Sequence, residues 1–206
     1  GSDPKMRHIP EAYGKMINWD MPFTLGHEVG GWVETLGEGV TDFEAGEAVV
    51  LMSTHSCGDC SYCIEGADSN CKEGHYGRGY GRDGGLAPYV LVDHTRELIK
   101  INNLDPSTAG TLTDAAVIPY HGVQRVLPKL KPGATAVVIG IGGLGSFAVQ
   151  FLKVLSSAKV IAVDNNPARL EYALELGADG VIDSSEGDVA ERLAAHSGTD
   201  GAAAVL

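Results

Sequence analysis

The stretch VVIGIGGLG, residues 137–145, joins a strand pattern to a glycine-rich turn within nine residues. Three consecutive β-branched residues predict a short buried strand, and the glycines that follow have the pattern G-x-G-G-x-G. The next segment, SFAVQFLKVLSSA, has the apolar spacing of an amphipathic helix. A strand, a glycine turn and a helix in this order predict the opening of a parallel α/β sheet.

The glycine turn is typical of a dinucleotide-binding site. Gly140 permits a tight turn, Gly142 lets the backbone approach a pyrophosphate, and Gly145 lets the helix pack closely on the strand. The free N–H groups at the start of that helix, near Gly143 and Leu144, attract phosphate. We therefore expect these five residues to bind a coenzyme; the alternative is a glycine-rich turn that binds no ligand.

The second predicted strand places an acidic residue where adenosine ribose would bind. KVIAVD, residues 159–164, ends in Asp164, 19 residues after Gly145. A carboxylate there accepts hydrogen bonds from the ribose and repels a 2′-phosphate, which favours NAD over NADP. Arg169 is expected beside the adenine. The alternative role for Asp164 is to cap the following helix.

The pattern differs between the two halves of the chain. Residues 116–206 alternate short apolar strands with amphipathic helices and end in AAAVL, which reads as a strand that has only begun. Residues 1–115 predict a β-rich domain with strands in GGWVETLG, EAVVLM, LAPYVLVD and ELIKI. We expect an α/β fold of two domains, 1–115 and 116–206, both incomplete.

Composition excludes several classes of partner. The formal net charge of −12 argues against nucleic acid and anionic membrane surfaces. No apolar run reaches the ~18 residues that would span a bilayer, and the first residues lack the apolar core of a signal peptide. A cytoplasmic location is therefore expected.

All four cysteines lie in one short segment, with the spacing C-x2-C-x2-C-x7-C. Disulfides, for which three pairings are possible, suit small secreted domains better than a chain with a nucleotide-binding pattern. Four thiolates can instead enclose one tetrahedral Zn²⁺ with no open position, although thiolates alone do not exclude iron. We predict a structural zinc site formed by Cys57, Cys60, Cys63 and Cys71.

Three motifs together resemble the zinc-dependent medium-chain alcohol dehydrogenases, most closely the bacterial NAD-dependent secondary-alcohol dehydrogenases. GHEVGGWVETLGEGV, residues 26–40, resembles the Gly-His-Glu signature of the family. The cysteine spacing is that of its structural-zinc lobe, and the glycine turn with Asp164 is similar to its coenzyme site. The resemblance implies a GroES-like catalytic domain followed by a Rossmann NAD-binding domain.

The resemblance also implies a second, catalytic zinc. His27 matches one ligand, Asp114 matches another in its aspartate form, and Glu28 is expected close to the metal, behind its ligands or as a transient ligand. The alternatives are a core histidine for His27 and a helix N-cap for Asp114. The family's first ligand is a cysteine in the pattern Cys-x-Ser/Thr-Asp. It would directly precede Gly1 if the opening GSD belongs to that pattern; the alternative is that GS derives from cloning.

The same motif assigns the proton transfer. Ser2 would take the proton of the alcohol and Asp3 would orient His27, whereas Pro4 and Lys5 stand where many relatives carry a relay histidine. His121 or solvent would then complete the relay.

The implied reaction is hydride transfer between an alcohol, in the first instance a secondary one, or its carbonyl product, and NAD. The alternatives are oxidation of polyols or aldehydes, or a non-catalytic zinc-stabilised module. Lacking one zinc ligand, the chain alone is expected to turn over little. A homodimer or homotetramer is usual for the family.

Overall fold

The computed structural model describes residues 2–197 and 201–206. The chain divides into two compact units, Gly1–Asp114 and Ala115–Leu206.

The first unit is made of short strands and one-turn helices. Its strands are β1 (Val29–Trp32), β2 (Ala48–Leu51), β3 (Gly77–Arg78), β4 (Gly81–Arg82) and β5 (Leu98–Lys100). Its helices are α1 (Asp3–Met6), α2 (Glu11–Met16), α3 (Ser61–Ile64) and α4 (Pro106–Ala109), with short 3₁₀ turns at Asp68–Asn70, Thr95–Glu97 and Gly110–Thr113. Long loops connect these elements. His27, Asp114 and three of the four cysteines lie outside the helices and strands, whereas Cys63 lies in α3.

An antiparallel sheet in the order β1-β2-β5 forms the framework of this unit. β2 is its central strand, with Val50 opposite Gly30 on one side and Ile99 on the other. Phe43, Val49 and Leu51 form the buried core on one face of the sheet. Because the sheet is held on both sides of β2, it fixes the ends of the loops that carry the site.

The prediction of a strand in LAPYVLVD was wrong. Residues 86–93 form no strand, although Val90 and Val92 pack against the core while Tyr89 and Leu91 face outward. The alternation in the sequence therefore reflects burial of every second side chain. It does not reflect a hydrogen-bonded partner strand, and Pro88 has no N–H to donate to one.

The second unit alternates strands and helices. The strands are β6 (Thr135–Ile139), β7 (Lys159–Asp164), β8 (Gly180–Asp183) and β9 (Ala204–Val205). The helices are α5 (Val117–Val126), α6 (Gly143–Leu155), α7 (Pro167–Glu175) and α8 (Val189–Ser197). The four strands pair in parallel in the order β8-β7-β6-β9, as in a dinucleotide-binding sheet.

Both faces of this parallel sheet are buried. Val138, Val160 and Ala162 belong to one apolar cluster, which includes Val149 and Leu152 of α6. The alternate residues Val137, Ile161 and Val163 belong to a second cluster on the opposite face, where Val189 and Leu193 of α8 pack against it. Burial on both faces explains why these strands read as continuous apolar runs. Within the described ranges, no helix is long and apolar enough to cross a membrane.

Candidate zinc and coenzyme sites

The four cysteine sulfurs form one cluster in the first unit. All four Sγ atoms lie within 4.8 Å of one another, and Cys57–Cys63, Cys60–Cys63 and Cys57–Cys71 have Sγ–Sγ distances of 3.9, 3.6 and 3.6 Å. A tetrahedron of sulfurs about 2.3 Å from a zinc ion has edges of about 3.8 Å. A disulfide would require about 2.05 Å, and all four cysteines are free. The geometry fits a closed four-thiolate metal site.

Backbone N–H groups point at these sulfurs. The N–H of Cys60 donates to Cys57 Sγ at 3.4 Å, and the N–H groups of Cys57 and Glu73 donate to Cys71 Sγ at 3.3 and 3.4 Å. Hydrogen bonds of this kind stabilise a thiolate over a thiol. Backbone N–H groups, first that of Lys72, lower the pKa of Cys60 to about 6.

The pKa values of Cys71 and Cys57 are shifted in opposite directions. The N–H of Cys57 is the chief cause that lowers the pKa of Cys71. The Asp59 carboxylate raises the pKa of the Cys57 thiol to about 12. The lowered pKa values of Cys60 and Cys71 favour the thiolate form, which is the form that binds zinc.

A second cluster of polar side chains surrounds His27, which is 7% exposed. Its Nε2 lies 3.2 Å from Asp114 Oδ2 and 3.1 Å from Ser2 Oγ. Two ligand atoms bound about 2.0–2.1 Å from a tetrahedral zinc are about 3.3 Å apart, so the His27–Asp114 spacing is one that a shared metal ion would span.

The other ring nitrogen of His27 is held by Asp3. Nδ1 lies 3.2 Å from Asp3 Oδ2, and Asp3 Oδ1 accepts the Gly26 N–H at 2.9 Å. A proton on Nδ1, shared with this carboxylate, leaves the lone pair of Nε2 available as a metal ligand. Asp3 thus lies where the sequence predicted an orienting residue.

Neither Asp114 nor Ser2 caps a helix with its side chain. Helix α5 begins at Val117 after Ala116 and has no side-chain cap, and Asp114 ends the preceding 3₁₀ turn. Ser2 is the N-cap residue of α1, yet its hydroxyl makes no capping bond and instead meets His27. The geometry therefore favours the site role over the capping role for both residues.

The structure does not support a place in the His27 site for two other predicted residues, Glu28 and His121. Glu28 is exposed, and among the described residues the four cysteines are the only group of three or more His, Cys, Asp or Glu side chains placed to hold a metal. His121 lies on α5 and is exposed. Their roles as metal neighbour and proton relay stay predictions.

Aromatic rings border His27, which the sequence reasoning missed. The Tyr80 ring meets His27 edge-on with centroids 5.8 Å apart, and Trp19 lies 6.4 Å from Tyr80 and 5.7 Å from Phe23. Burial raises the pKa of Tyr80, and the negative charge of Asp114 adds to the rise. The nearest signal in the sequence was an aromatic residue between glycines in GRGYGRDGG, but it did not indicate which residue it would meet.

The glycine turn of the second unit has the shape that the sequence predicted. Gly140 has φ +86°, a conformation that favours glycine, and a Cβ on Gly145 would lie 2.0 Å from the carbonyl oxygen of Gly140. A Cβ on Gly142 or Gly143 would meet nothing within 4 Å. Leu144 is exposed beside them. Open space therefore lies in front of the N-terminus of α6, which has no side-chain cap and offers its N–H groups to an anion.

Asp164 lies at the end of β7 as predicted, but its carboxylate is buried and already hydrogen-bonded. Oδ2 accepts the N–H of Ile141 at 2.7 Å and Oδ1 accepts that of Asn166 at 2.9 Å. Burial raises the pKa of Asp164, but these N–H groups and Arg169, whose Nη1 is 3.8 Å away, outweigh it and lower the pKa overall. The carboxylate thus holds the glycine turn, and Asn166 takes the helix-capping role considered for Asp164.

Comparison with known families agrees with both halves of the chain. Residues 1–103 match the alcohol dehydrogenase GroES-like domain, and residues 143–206 match the zinc-binding dehydrogenase domain.

Individual relatives give the same result. An NAD-dependent alcohol dehydrogenase of Sulfurisphaera tokodaii is 37% identical over 187 residues, which are 90% of this chain and 53% of that protein. Among solved structures, the alcohol dehydrogenase of Aeropyrum pernix matches with a TM-score of 0.82 and 32% identity, over 94% of this chain and 57% of that one. The D-arabinose dehydrogenase of Sulfolobus solfataricus matches with a TM-score of 0.82 and 31% identity, over 91% and 58%.

The chain thus spans a little over half the length of these relatives. The predicted fold class, a β-rich GroES-like domain followed by a parallel-sheet coenzyme domain, is confirmed. By its two matching domains, this chain belongs to the zinc-dependent alcohol dehydrogenase family.

Proposed function

We propose that the protein is an alcohol dehydrogenase that transfers a hydride between a secondary alcohol and NAD with the help of a catalytic zinc ion. The observation that carries the proposal is the group at His27, whose Nε2 faces both a carboxylate at 3.2 Å and a hydroxyl at 3.1 Å. A metal ligand pair and a proton acceptor beside one another are what dehydrogenation of an alcohol requires.

His27 and Asp114 would hold the catalytic zinc, and the four cysteines would hold a second, structural zinc. The catalytic zinc, when bound, supplies a Lewis acid that lowers the pKa of an alcohol hydroxyl. Asp3 keeps the proton of His27 on Nδ1, so that Nε2 remains a ligand. Ser2, whose Oγ is 3.1 Å from His27 Nε2, would accept the hydroxyl proton of the substrate and pass it on, with His121 or solvent as the next acceptor.

The glycine turn would hold NAD in the second unit. The open space at Gly142 and Gly143 admits the pyrophosphate, which the N–H groups of α6 would bind. NAD supplies the hydride acceptor, and the chain supplies its orientation. Asp164, which keeps its negative charge, would disfavour the additional phosphate of NADP, and Arg169 would lie beside the adenine.

The aromatic side chains near His27 support a substrate with an apolar substituent. Trp19, Phe23 and Tyr80 form a continuous set of ring contacts that begins at His27. Such a wall favours a simple secondary alcohol over a heavily hydroxylated one, because the hydroxyls of a polyol would lose water without a polar partner. The similarity to a D-arabinose dehydrogenase makes sugars and polyols the second candidate.

The test is NADH formation by the whole gene product with secondary alcohols, primary alcohols, polyols and D-arabinose. We expect the highest kcat/KM with a secondary alcohol. Asp114→Asn is expected to lower kcat/KM by more than about 100-fold, because one ligand of the Lewis acid is weakened. Asp42→Asn, an exposed aspartate in the same unit, is the control and should leave it unchanged.

Each outcome decides between the candidates. A preference for D-arabinose or polyols would transfer the proposal to sugar dehydrogenation. Absence of turnover with every substrate, by a protein that contains zinc and binds NAD, would contradict the enzymatic proposal. A cytoplasmic location and a homodimeric or homotetrameric state complete the proposal, and size-exclusion chromatography with light scattering tests the latter.

A further inference from the structure

Arg96 reaches the four-cysteine lobe, residues 57–71, from outside it. The residue lies in the 3₁₀ turn Thr95–Glu97, directly before strand β5. Its Nη2 donates to Asp68 Oδ1 at 2.5 Å and its Nε donates to Ser56 Oγ at 3.2 Å. Ser56 precedes the first cysteine and Asp68 stands three residues before the last, so one guanidinium joins both ends of the lobe.

The guanidinium also lies against the turn between the first two cysteines. A Cβ on Gly58 would be 2.9 Å from Arg96 Nη1 and 3.4 Å from its Cζ. Gly58 has φ +89°, in the region that favours glycine, so this turn has both a special backbone conformation and a close cationic neighbour. The flat side chain of Arg96 therefore occupies the space that a side chain at position 58 would need.

The backbone from which Arg96 projects is firmly held. The next residue, Glu97, is 4% exposed, and its Oε2 accepts hydrogen bonds from Arg78 Nη2 at 2.9 Å and Nε at 3.2 Å. The Glu97 carbonyl accepts the N–H of Met52 at 2.8 Å. Because one residue of the turn is anchored in the interior, its neighbour points outward to the lobe from a fixed position.

Charge complements this geometry. Four thiolates around one Zn²⁺ leave a net charge of about −2 on the centre, and Asp68 adds another negative charge. Asp68 is the chief cause that raises the pKa of Arg96, and the cysteines at 63 and 57 contribute in the same direction. The guanidinium is thus within electrostatic range of the sulfurs as well as bonded to the loop that carries them.

We propose that Arg96 is a positioning residue for the zinc lobe: its positive charge offsets part of the charge of the thiolates, and its hydrogen bonds hold the lobe closed around the metal. The inference rests on occupancy of the lobe by zinc, which is part of the proposed function, and it does not depend on hydride transfer. Its consequence is kinetic, because zinc leaves when the lobe opens and thiolates become accessible.

The test uses the fact that all four cysteines of the chain belong to this lobe. Thiol release in excess chelator, followed with the uncharged reagent 4,4′-dithiodipyridine, therefore reports on this site and not on the catalytic one. The variants are Arg96→Gln, Arg96→Lys and, as a matched control, Arg192→Gln. Arg192 is similarly exposed, at 36% against 39%, and it pairs with Glu186 in the second unit.

We expect Arg96→Gln to release thiols about fivefold faster than the unmodified protein, a modest effect because the side chain is partly exposed. Arg96→Lys should recover most of the difference, and Arg192→Gln should match the unmodified protein. Added salt should accelerate release from the unmodified protein but have little effect on Arg96→Gln, because salt screens a charge that the variant lacks.

Equal release rates for Arg96→Gln and the unmodified protein would overturn the proposal. Equally fast and salt-insensitive release from Arg96→Gln and Arg96→Lys would overturn the charge role. If Arg96→Gln fails to fold, Asp68→Asn replaces it, with about twofold faster release expected and an unchanged rate overturning the proposal. A protein without zinc would overturn the zinc lobe together with the role of Arg96, whereas a whole gene product that holds zinc and binds NAD but turns over no substrate would contradict only the proposed reaction.

Discussion

Gly142 and Gly145 lie three residues apart in the glycine turn, and substituting each by alanine separates stability from coenzyme binding. In Gly145→Ala, the new Cβ would lie 2.0 Å from the Gly140 carbonyl oxygen and 3.0 Å from its carbon. Ordinary contact begins near 3.4 Å, so backbone must move by more than about 1 Å, and both neighbours belong to a turn that helix α6 and strand β6 hold in place. Overpacking against backbone costs about 3 kcal/mol, at the upper end of the usual range.

Gly142→Ala is the matched variant. Its Cβ would meet no protein atom within 4 Å, and φ −91° is acceptable for alanine, so the free energy of unfolding should change by less than about 1 kcal/mol. The same methyl group would occupy the space proposed for the pyrophosphate. We expect its Kd for NAD to rise about tenfold or more, which corresponds to about 1.4 kcal/mol.

Urea unfolding followed by far-UV circular dichroism measures the first effect, because the longer helices α5–α8 all lie in the second unit. Isothermal titration with NAD measures the second. The reasoning is refuted if Gly145→Ala unfolds within about 0.5 kcal/mol of the unmodified protein, or if Gly142→Ala binds NAD with unchanged affinity.

Three further predictions follow from the same geometry. Cys63→Ser should remove about one zinc per chain in elemental analysis after dialysis, and an unchanged zinc content would contradict the four-thiolate site. Asp3→Asn should lower kcat about tenfold while thermal stability falls by only a few degrees, because the Nδ1 proton of His27 then faces a neutral amide instead of a carboxylate. An unchanged kcat would remove Asp3 from the mechanism. Asp179 has its pKa lowered: burial raises it, but the Val160 N–H and Lys153 outweigh burial. Asp179 therefore contributes about 1 kcal/mol of stability, a small value because the pair with Lys153 is partly exposed. This stability is present above pH 3.8 and is lost as the pH falls below it. Asp179→Asn should flatten this part of the dependence of the unfolding free energy on pH, and a variant whose curve runs parallel to that of the unmodified protein would count against the assignment.

Local patterns predicted well those features whose cause is also local. The glycine turn follows from the backbone conformation of Gly140 and the close approach of backbone at Gly145. Both features require the absence of a side chain, so glycine at these two positions predicts them from the sequence. The cysteine spacing likewise places four sulfurs within one short loop. Periodicity located the strands and helices of the second unit because β6 and β7 are buried on both faces and α6 and α7 bury one face each.

Contacts between distant loops were beyond this kind of reasoning. The approach of Tyr80 to His27 and the reach of Arg96 to Asp68 join residues 53 and 28 positions apart, through loops that have no period. The use of the Asp164 carboxylate by Ile141 was missed for a different reason. The motif predicts an acidic residue that binds a ligand. Only the fold shows that Oδ2 of this residue accepts the backbone N–H of Ile141, 23 residues earlier in the chain.

That shared carboxylate has a consequence for engineering the coenzyme preference. Exchange of NAD for NADP is most directly attempted by replacing the acidic residue at the end of β7 with a small neutral one. Here such a replacement would also leave the N–H of Ile141, in a residue only 2% exposed, without its acceptor, at a cost of about 1–3 kcal/mol. Coenzyme preference and folding stability are thus coupled through one side chain. A change of coenzyme should therefore start from a variant that keeps an oxygen at position 164 while removing its charge, such as Asp164→Asn.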